Sequence, residues 1–345
     1  LVIWGGVWVF HWQLELKEGQ STPETRAVRR IYLYLVSAAA MGAALTGIGM
    51  LIHAVFRDAY DGLANVSILS RDDLGGSSTK DALSSALVAT PLWAVHWLVF
   101  LRRDYESTLR QIYYYGYAIL GGVAVVLIAL GITAYNLLVW VFGGIEQSAA
   151  IHFEFFAGTL ASLVVGASVL VYHSLVVNQE SIATDDTVSE SPRGSYPYLL
   201  AFIGNITLAS GIAVLVSTAI GLFTEGSSRI VDSSQWSRQV ALGLTLSAIG
   251  LSLWLYYWRL VQSRLPSADS GEYNSLGRRG FIFGALGIGM LVLLGSVSFL
   301  AFVFFRELLD GNISEVLGNA KMGIALIVPV VIFVPYYWMV YQKDR

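Results

Sequence analysis

Five histidines are the only side chains here able to bind a cofactor through nitrogen, and four of them fall into two pairs. His53 and His152 lie toward one end of their apolar segments, His96 and His173 toward the other. A b-type haem needs two imidazoles at equal depth on facing helices, each with its second nitrogen held by a partner. Haem b between His53 and His152, or between His96 and His173, is therefore one chemistry the pattern permits. Later in the chain Tyr257 and Tyr337 occupy the register of His96 and His173. That exchange favours a ring seated at the lipid boundary, and no cofactor is predicted. Glu154 stands two residues past His152 and offers either a proton-binding carboxylate–imidazole pair or a carboxylate reaching for the interface. Asn205 follows Arg193 by 12 residues, about 18 Å along a helix that rises 1.5 Å per residue. An amide at that depth serves a helix–helix hydrogen bond or, with Pro91, Pro329 and Pro335 bending nearby spans, a solute path. Walker, dinucleotide, HExxH and GxSxG patterns are absent. With no cysteine in the chain, disulfides, thiolate metal sites and cysteine catalysis fall away together.

The elements that position these residues must cross a membrane. Hydrophobic residues make up 55% of the chain and charged ones 13%, against roughly 25% charged in soluble proteins. The net charge of -3 is spread over the connections, so no basic face exists for nucleic acid. Apolar segments run over 30–56, 82–102, 110–142, 150–178, 196–224, 238–262, 279–306 and 317–342, each long enough for the ~20 residues a span requires. The opening run over 1–13 is too short and reads as the second half of a helix that begins upstream. The expected fold is an all-α integral membrane bundle with eight full spans and one truncated.

An internal repeat orders the spans. Arg29/Tyr32/Tyr34, Arg110/Tyr113/Tyr115, Arg193/Tyr196/Tyr198 and Arg278/Phe281/Phe283 recur at intervals of 81, 83 and 85 residues, each at the start of an apolar run. A fixed period of this size marks a repeated supersecondary unit, here a transmembrane helical hairpin. The units are 29–106, 107–190, 191–272 and 273–345, with 1–28 the second half of a truncated hairpin. Each unit holds an even number of spans, so the repeats are tandem and parallel rather than inverted. Arginine followed by aromatics suits the headgroup boundary, and all twelve residues are expected to act as interfacial anchors. At 100° per residue the two rings of each copy stand about 200° apart, one toward lipid and one toward a neighbouring helix. Close packing is expected from Ala38, Gly42, Ala43, Gly47 and Gly49, from Gly121, Gly122 and Gly131, and from the Gly280/Gly284 pair with Gly287. The other use of such glycines is a pathway through broken helices.

Fourteen Lys and Arg lie in the connections on the side of the C-terminus and seven on the other side. This excess places the C-terminus in the cytoplasm. Residues 57–81 read as an outer polar loop, 178–195 as a linker, and Phe305 to Asn319 as an amphipathic turn in the outer interface. The two-helix unit, the opening Arg-Arg-Ile-Tyr-Leu-Tyr-Leu-Val-Ser over 29–37 and the His-Trp ending resemble a group of bacterial multi-pass membrane proteins of the uncharacterised DUF5671 type. The resemblance is strongest over 29–140. It implies a bacterial cytoplasmic membrane and a four-helix repeating layout, and it supplies no activity. The expected role is a scaffold or accessory subunit packed against lipid and other integral membrane subunits. The alternatives are a transporter or channel for a small solute and a haem electron carrier.

Overall fold

In lipid every backbone N–H and C=O must be satisfied within the segment that carries it, so the long apolar runs become helices. The computed structural model describes residues 6, 7, 9, 10, 13, 14, 23–64, 77–102, 104, 107–143, 147–184, 192–224, 233–265 and 272–345. Helix α1 is Pro23–Ala64, and α2 is Ser77–Ala94 continued by a widened π-helical turn, Val95–Phe100. Helix α3 runs from Thr108–Gln111 through a π-helical stretch, Ile112–Ile119, to Leu120–Val141. Helix α4 comprises Ala149–His152, a 3-10 turn at Phe153–Phe155, and Phe156–Thr184. Helices α5, Pro192–Thr224, α6, Ser233–Arg264, α7, Leu276–Leu309, and α8, Val316–Lys343, complete the set. All eight are long and apolar enough to cross a membrane, and no strand occurs among the described residues.

The eight helices form two four-helix halves of the same plan. In the first, α1 packs on α2 and α4, and α3 packs on α4; in the second, α5 packs on α6, α7 and α8, and α7 packs on α8. The halves meet where α3 lies against α6. Ile249 of α6 packs against the bare backbone of Gly131 on α3. Tyr115 of α3 caps Tyr196 of α5 at 5.6 Å between ring centroids, and Tyr196 meets Tyr257 of α6 edge-on. The shared plan extends to the turns. Gly143 after α3 and Gly311 after α7 both have positive φ, 69° and 74°, the left-handed backbone that ends a helix at little cost only for glycine.

Several boundaries differ from the sequence reading. The connection placed at 57–81 is helical at both ends, because α1 continues to Ala64 and α2 begins at Ser77; 65–76 lie outside the described residues. The same holds for 178–195, where α4 reaches Thr184 and α5 starts at Pro192, and 185–191 lie outside. In place of an amphipathic turn over 305–319, α7 runs on to Leu309, the chain reverses at Gly311, and a 3-10 turn at Ile313–Glu315 leads into α8. Of the truncated opening segment, the six described residues are helical and exposed. The glycines differ as well. A Cβ added to Gly280 or Gly287 would meet nothing within 4 Å, while one at Gly250 would lie 2.2 Å from the Leu208 nitrogen. The tightest crossing is therefore α5 on α6, and the Gly280/Gly284 pair is not a helix seam.

Candidate functional site

At the arginine-bearing end of each half, a guanidinium is sealed under aromatic rings. Arg110 is 4% exposed and Arg278 1%, so two of the four repeated arginines are interior groups rather than headgroup anchors. A buried charge needs a paired and hydrogen-bonded partner. Arg110 Nε donates to Glu180 at 3.0 Å, its Nη2 also reaches Glu180, and Nη1 donates to the Leu101 carbonyl. The Tyr114 hydroxyl donates to the same carboxylate at 2.7 Å. Arg278 donates from Nε and Nη2 to Asp344 at 2.6 and 2.9 Å. Above these pairs lie aromatic faces, whose quadrupole attracts the cation. Arg110 sits 4.9 Å from the Trp97 ring and Arg278 5.8 Å from the Trp258 ring.

Each tryptophan in turn stacks on the ring three residues past its arginine. Trp97 on Tyr113 is at 4.6 Å and 21°, and Trp258 on Phe281 at 4.9 Å and 22°. The indole nitrogens find acceptors, as buried ones must. Trp97 donates to Tyr172 and Trp258 to Tyr336, at 3.0 and 2.6 Å. One turn earlier, Trp93 donates to Tyr113 at 3.0 Å, whereas Trp254 donates to Tyr337 at 2.7 Å. Phe281 replaces Tyr113 in the second half and lacks the hydroxyl; Tyr337 replaces His173 and supplies it from the opposite wall. Tyr337→His should therefore orphan Trp254 and lower stability by about 1–3 kcal/mol. Adding Phe281→Tyr should recover most of that loss in a thermal unfolding series, and a double variant no better than the single one would show that the two hydroxyls do not substitute for one another.

The remaining repeat residues divide by copy. Tyr34, Tyr113, Tyr198 and Phe281 are buried in these cages, Tyr115 and Tyr196 join the two halves, and Arg29, Tyr32 and Phe283 are exposed. The side chain of Arg193 lies outside the described residues.

The histidines are not drawn into facing pairs. His96 and His173 each place Nδ1 on the carbonyl four residues back, Leu92 at 2.8 Å and Val169 at 2.9 Å. Both Nε2 atoms are buried with no hydrogen-bond partner. His173 is ringed by Trp97, Tyr113, Tyr114 and Tyr172 at 4.9 to 6.3 Å between centroids, while His96 faces Tyr32 and Phe100. A porphyrin bound to His173 would have to displace one of those rings. His152 Nε2 meets the Asn136 carbonyl at 3.0 Å and its ring stacks on Trp140, whereas His53 lines a cavity beside Gly158. Glu154 goes to Arg57. The arginine four residues past His53 reaches the carboxylate, and the pairing of Glu154 with His152 expected from their spacing gives way to it. Among the described residues no group of three or more His, Asp or Glu is arranged to hold a metal.

Directly beyond each cage, toward mid-span, is a cavity at the same place in the repeat. Met41 and Asn205, each 12 residues past its repeat arginine, line the two walls, as do Gly121 and Gly289. The first cavity holds about 540 Å³ and the second about 160 Å³. Larger side chains narrow the second, where Phe333 stands for Val169 and Val330 for Gly166. In the first cavity the wall hydroxyls are already engaged: Thr46 donates to Gly42, Tyr117 to Ala38 and Ser162 to Gly158. Besides apolar contact, the ring of His53 is the other polar group in its wall. In the second, Asn205 is 7% exposed and its Nδ2 has no hydrogen-bond partner. The sequence located Asn205 by depth; its missing partner becomes visible only in three dimensions.

No curated protein and no solved structure matches the chain. A family model matches residues 1–79, 62–172 and 195–334, so it recurs along the chain as the helix pattern does. With a cage and a cavity repeated in each half and the model matched over most of the sequence, the chain belongs to the family described as a domain of unknown function, DUF5671.

Proposed function

We propose that the protein is a non-catalytic scaffold or accessory subunit of a membrane assembly. In this reading it sits in a bacterial cytoplasmic membrane with its C-terminus inside, as the excess of Lys and Arg on that side favours. It docks other integral membrane subunits along α7. One observation carries the proposal. Helix α3 uses its outer flank to hold α6, while α7, its counterpart in the second half, packs on no such helix among the described residues and buries the smallest share of its apolar stretch of the eight spans, 11%. Tyr115 caps Tyr196 across the joint, but Phe283 in the same repeat position is 54% exposed. Gly131 admits Ile249, but Phe299 replaces that glycine on α7, where its ring lies beside Gly323 of α8 and stays 41% exposed. A helix received by α7 would thus present a recess of small residues to Phe299, the reverse of the joint inside the chain. In lipid such shape fit is what drives helix association.

Native mass spectrometry from vesicles of the source membrane tests this. The wild-type protein should emerge bound to another membrane subunit, and Phe299→Ala together with Phe283→Ala should release it as a monomer that still folds. A wild-type protein that emerges alone would overturn the proposal.

A further inference from the structure

We propose that the smaller cavity, between α5, α7 and α8, binds an uncharged, bilayer-soluble oxygen-bearing ring of the phenol or quinone class, and that Asn205 holds one of its oxygens. This site is separate from the outer flank of α7 and does not depend on the scaffold reading.

Asn205 offers two donors and an acceptor and stands near mid-span, and its Nδ2 is closed off from solvent with no hydrogen-bond partner. An unsatisfied amide of this kind costs about 1–3 kcal/mol, and water is too scarce at that depth to relieve it. The first half avoids the problem. Its residue at this position is Met41, whose sulfur accepts from Tyr113 at 3.3 Å. Phe281 has no hydroxyl to offer Asn205 in the same way. The amide is thus a departure from the repeat whose Nδ2 is satisfied by no group among the described residues.

The cavity beside it has the size of one ring. Its volume is about 160 Å³, and a dry apolar cavity of ~150 Å³ accommodates benzene. Phe202 and Phe333 line it, giving aromatic faces and edges against which a second ring packs well. Pro329, also in the wall, interrupts the hydrogen-bond ladder of α8 at this level.

Other occupants fit less well. A lipid acyl chain would fill the space but leave the amide unpaired. A lone water would find the bare minimum of two polar side chains, Asn205 and Ser210, and with a share of liquid volume of about 30 Å³ would leave most of the space unfilled. A charged ligand would find no countercharge among the lining residues. A phenolic hydroxyl can donate to Asn205 Oδ1 and a quinone carbonyl can accept from Nδ2, so the amide serves either kind of oxygen.

The test uses 4-fluorophenol and fluorobenzene, followed by fluorine NMR on the intact protein in lipid nanodiscs, with empty nanodiscs to subtract partitioning. Wild-type protein should bind 4-fluorophenol saturably and about tenfold more tightly than fluorobenzene, the ratio that one well-made hydrogen bond gives. Asn205→Leu, close in volume, should bring the phenol down to the level of fluorobenzene while fluorobenzene binding persists. Equal affinity of the two probes for the wild-type protein overturns the proposal, as does saturable binding of neither. Discrimination that survives in Asn205→Leu would assign the phenol to another place and overturn it equally. The wild-type comparison needs no variant to fold.

Discussion

Arg110→Met should destabilise the first half by about 3–5 kcal/mol, the range seen when one member of a buried ion pair is removed. Methionine fills much of the arginine volume, so the loss is electrostatic rather than a cavity. Glu180 would keep its charge beneath Trp97 and Tyr114 with only the Tyr114 hydroxyl of these contacts remaining, and the Leu101 carbonyl would lose its donor. The double variant Arg110→Met/Glu180→Met should recover most of the stability, because replacing both charges with apolar groups of similar size is close to neutral. Arg29→Met, at the same motif position but exposed, should change stability by no more than about 0.5 kcal/mol. Thermal unfolding of the four proteins in nanodiscs settles the matter. If Arg110→Met melts with the wild type, the guanidinium is not holding the cage together.

That contrast between two copies of one motif shows what the sequence could and could not convey. The eight spans were legible because lipid imposes length and composition on every crossing. The fate of each arginine was not. It depends on a carboxylate 66 or 70 residues away that meets the guanidinium only when two helix ends converge. Glu180 stood in a stretch whose composition reads as linker, and Asp344 stood next to the last residue given. The same limit applies to Glu154, whose nearest titratable neighbour in sequence is His152 but whose partner in space is Arg57. A signal for the tightest helix contact did exist. Gly204 and Gly211 on α5, and Gly243 and Gly250 on α6, share a seven-residue spacing, two turns of helix on one face. Spacing of four drew attention to Gly280 and Gly284, where no neighbour comes close enough to need glycine.

Gly250→Leu should be among the most damaging single changes in the chain, because the crossing of α5 on α6 brings backbone against backbone. A Cβ at Gly250 would stand 2.2 Å from the Leu208 nitrogen and 2.8 Å from the Gly204 carbonyl oxygen; one at Gly204 would stand 2.5 Å from the Trp254 nitrogen, and one at Gly211 2.5 Å from that of Ser247. Backbone atoms cannot rotate aside as a side-chain tip can, so the helices themselves must part. Overpacking a well-filled core usually costs 1–3 kcal/mol, and forcing two helices apart belongs at or above the top of that range, about 3 kcal/mol or more. No hydrophobic force in lipid would draw them together again. The damage should also spread, since the neighbouring Ile249 seats α6 against Gly131 of α3, and a displaced α6 loosens the joint between the halves. Gly280→Leu is the matched control, open on all sides and expected to unfold with the wild type. Resistance to unfolding in mixed detergent micelles, read by helical circular dichroism, ranks the variants. Equal resistance of Gly250→Leu and Gly280→Leu would mean that α5 and α6 are not in backbone contact in the membrane.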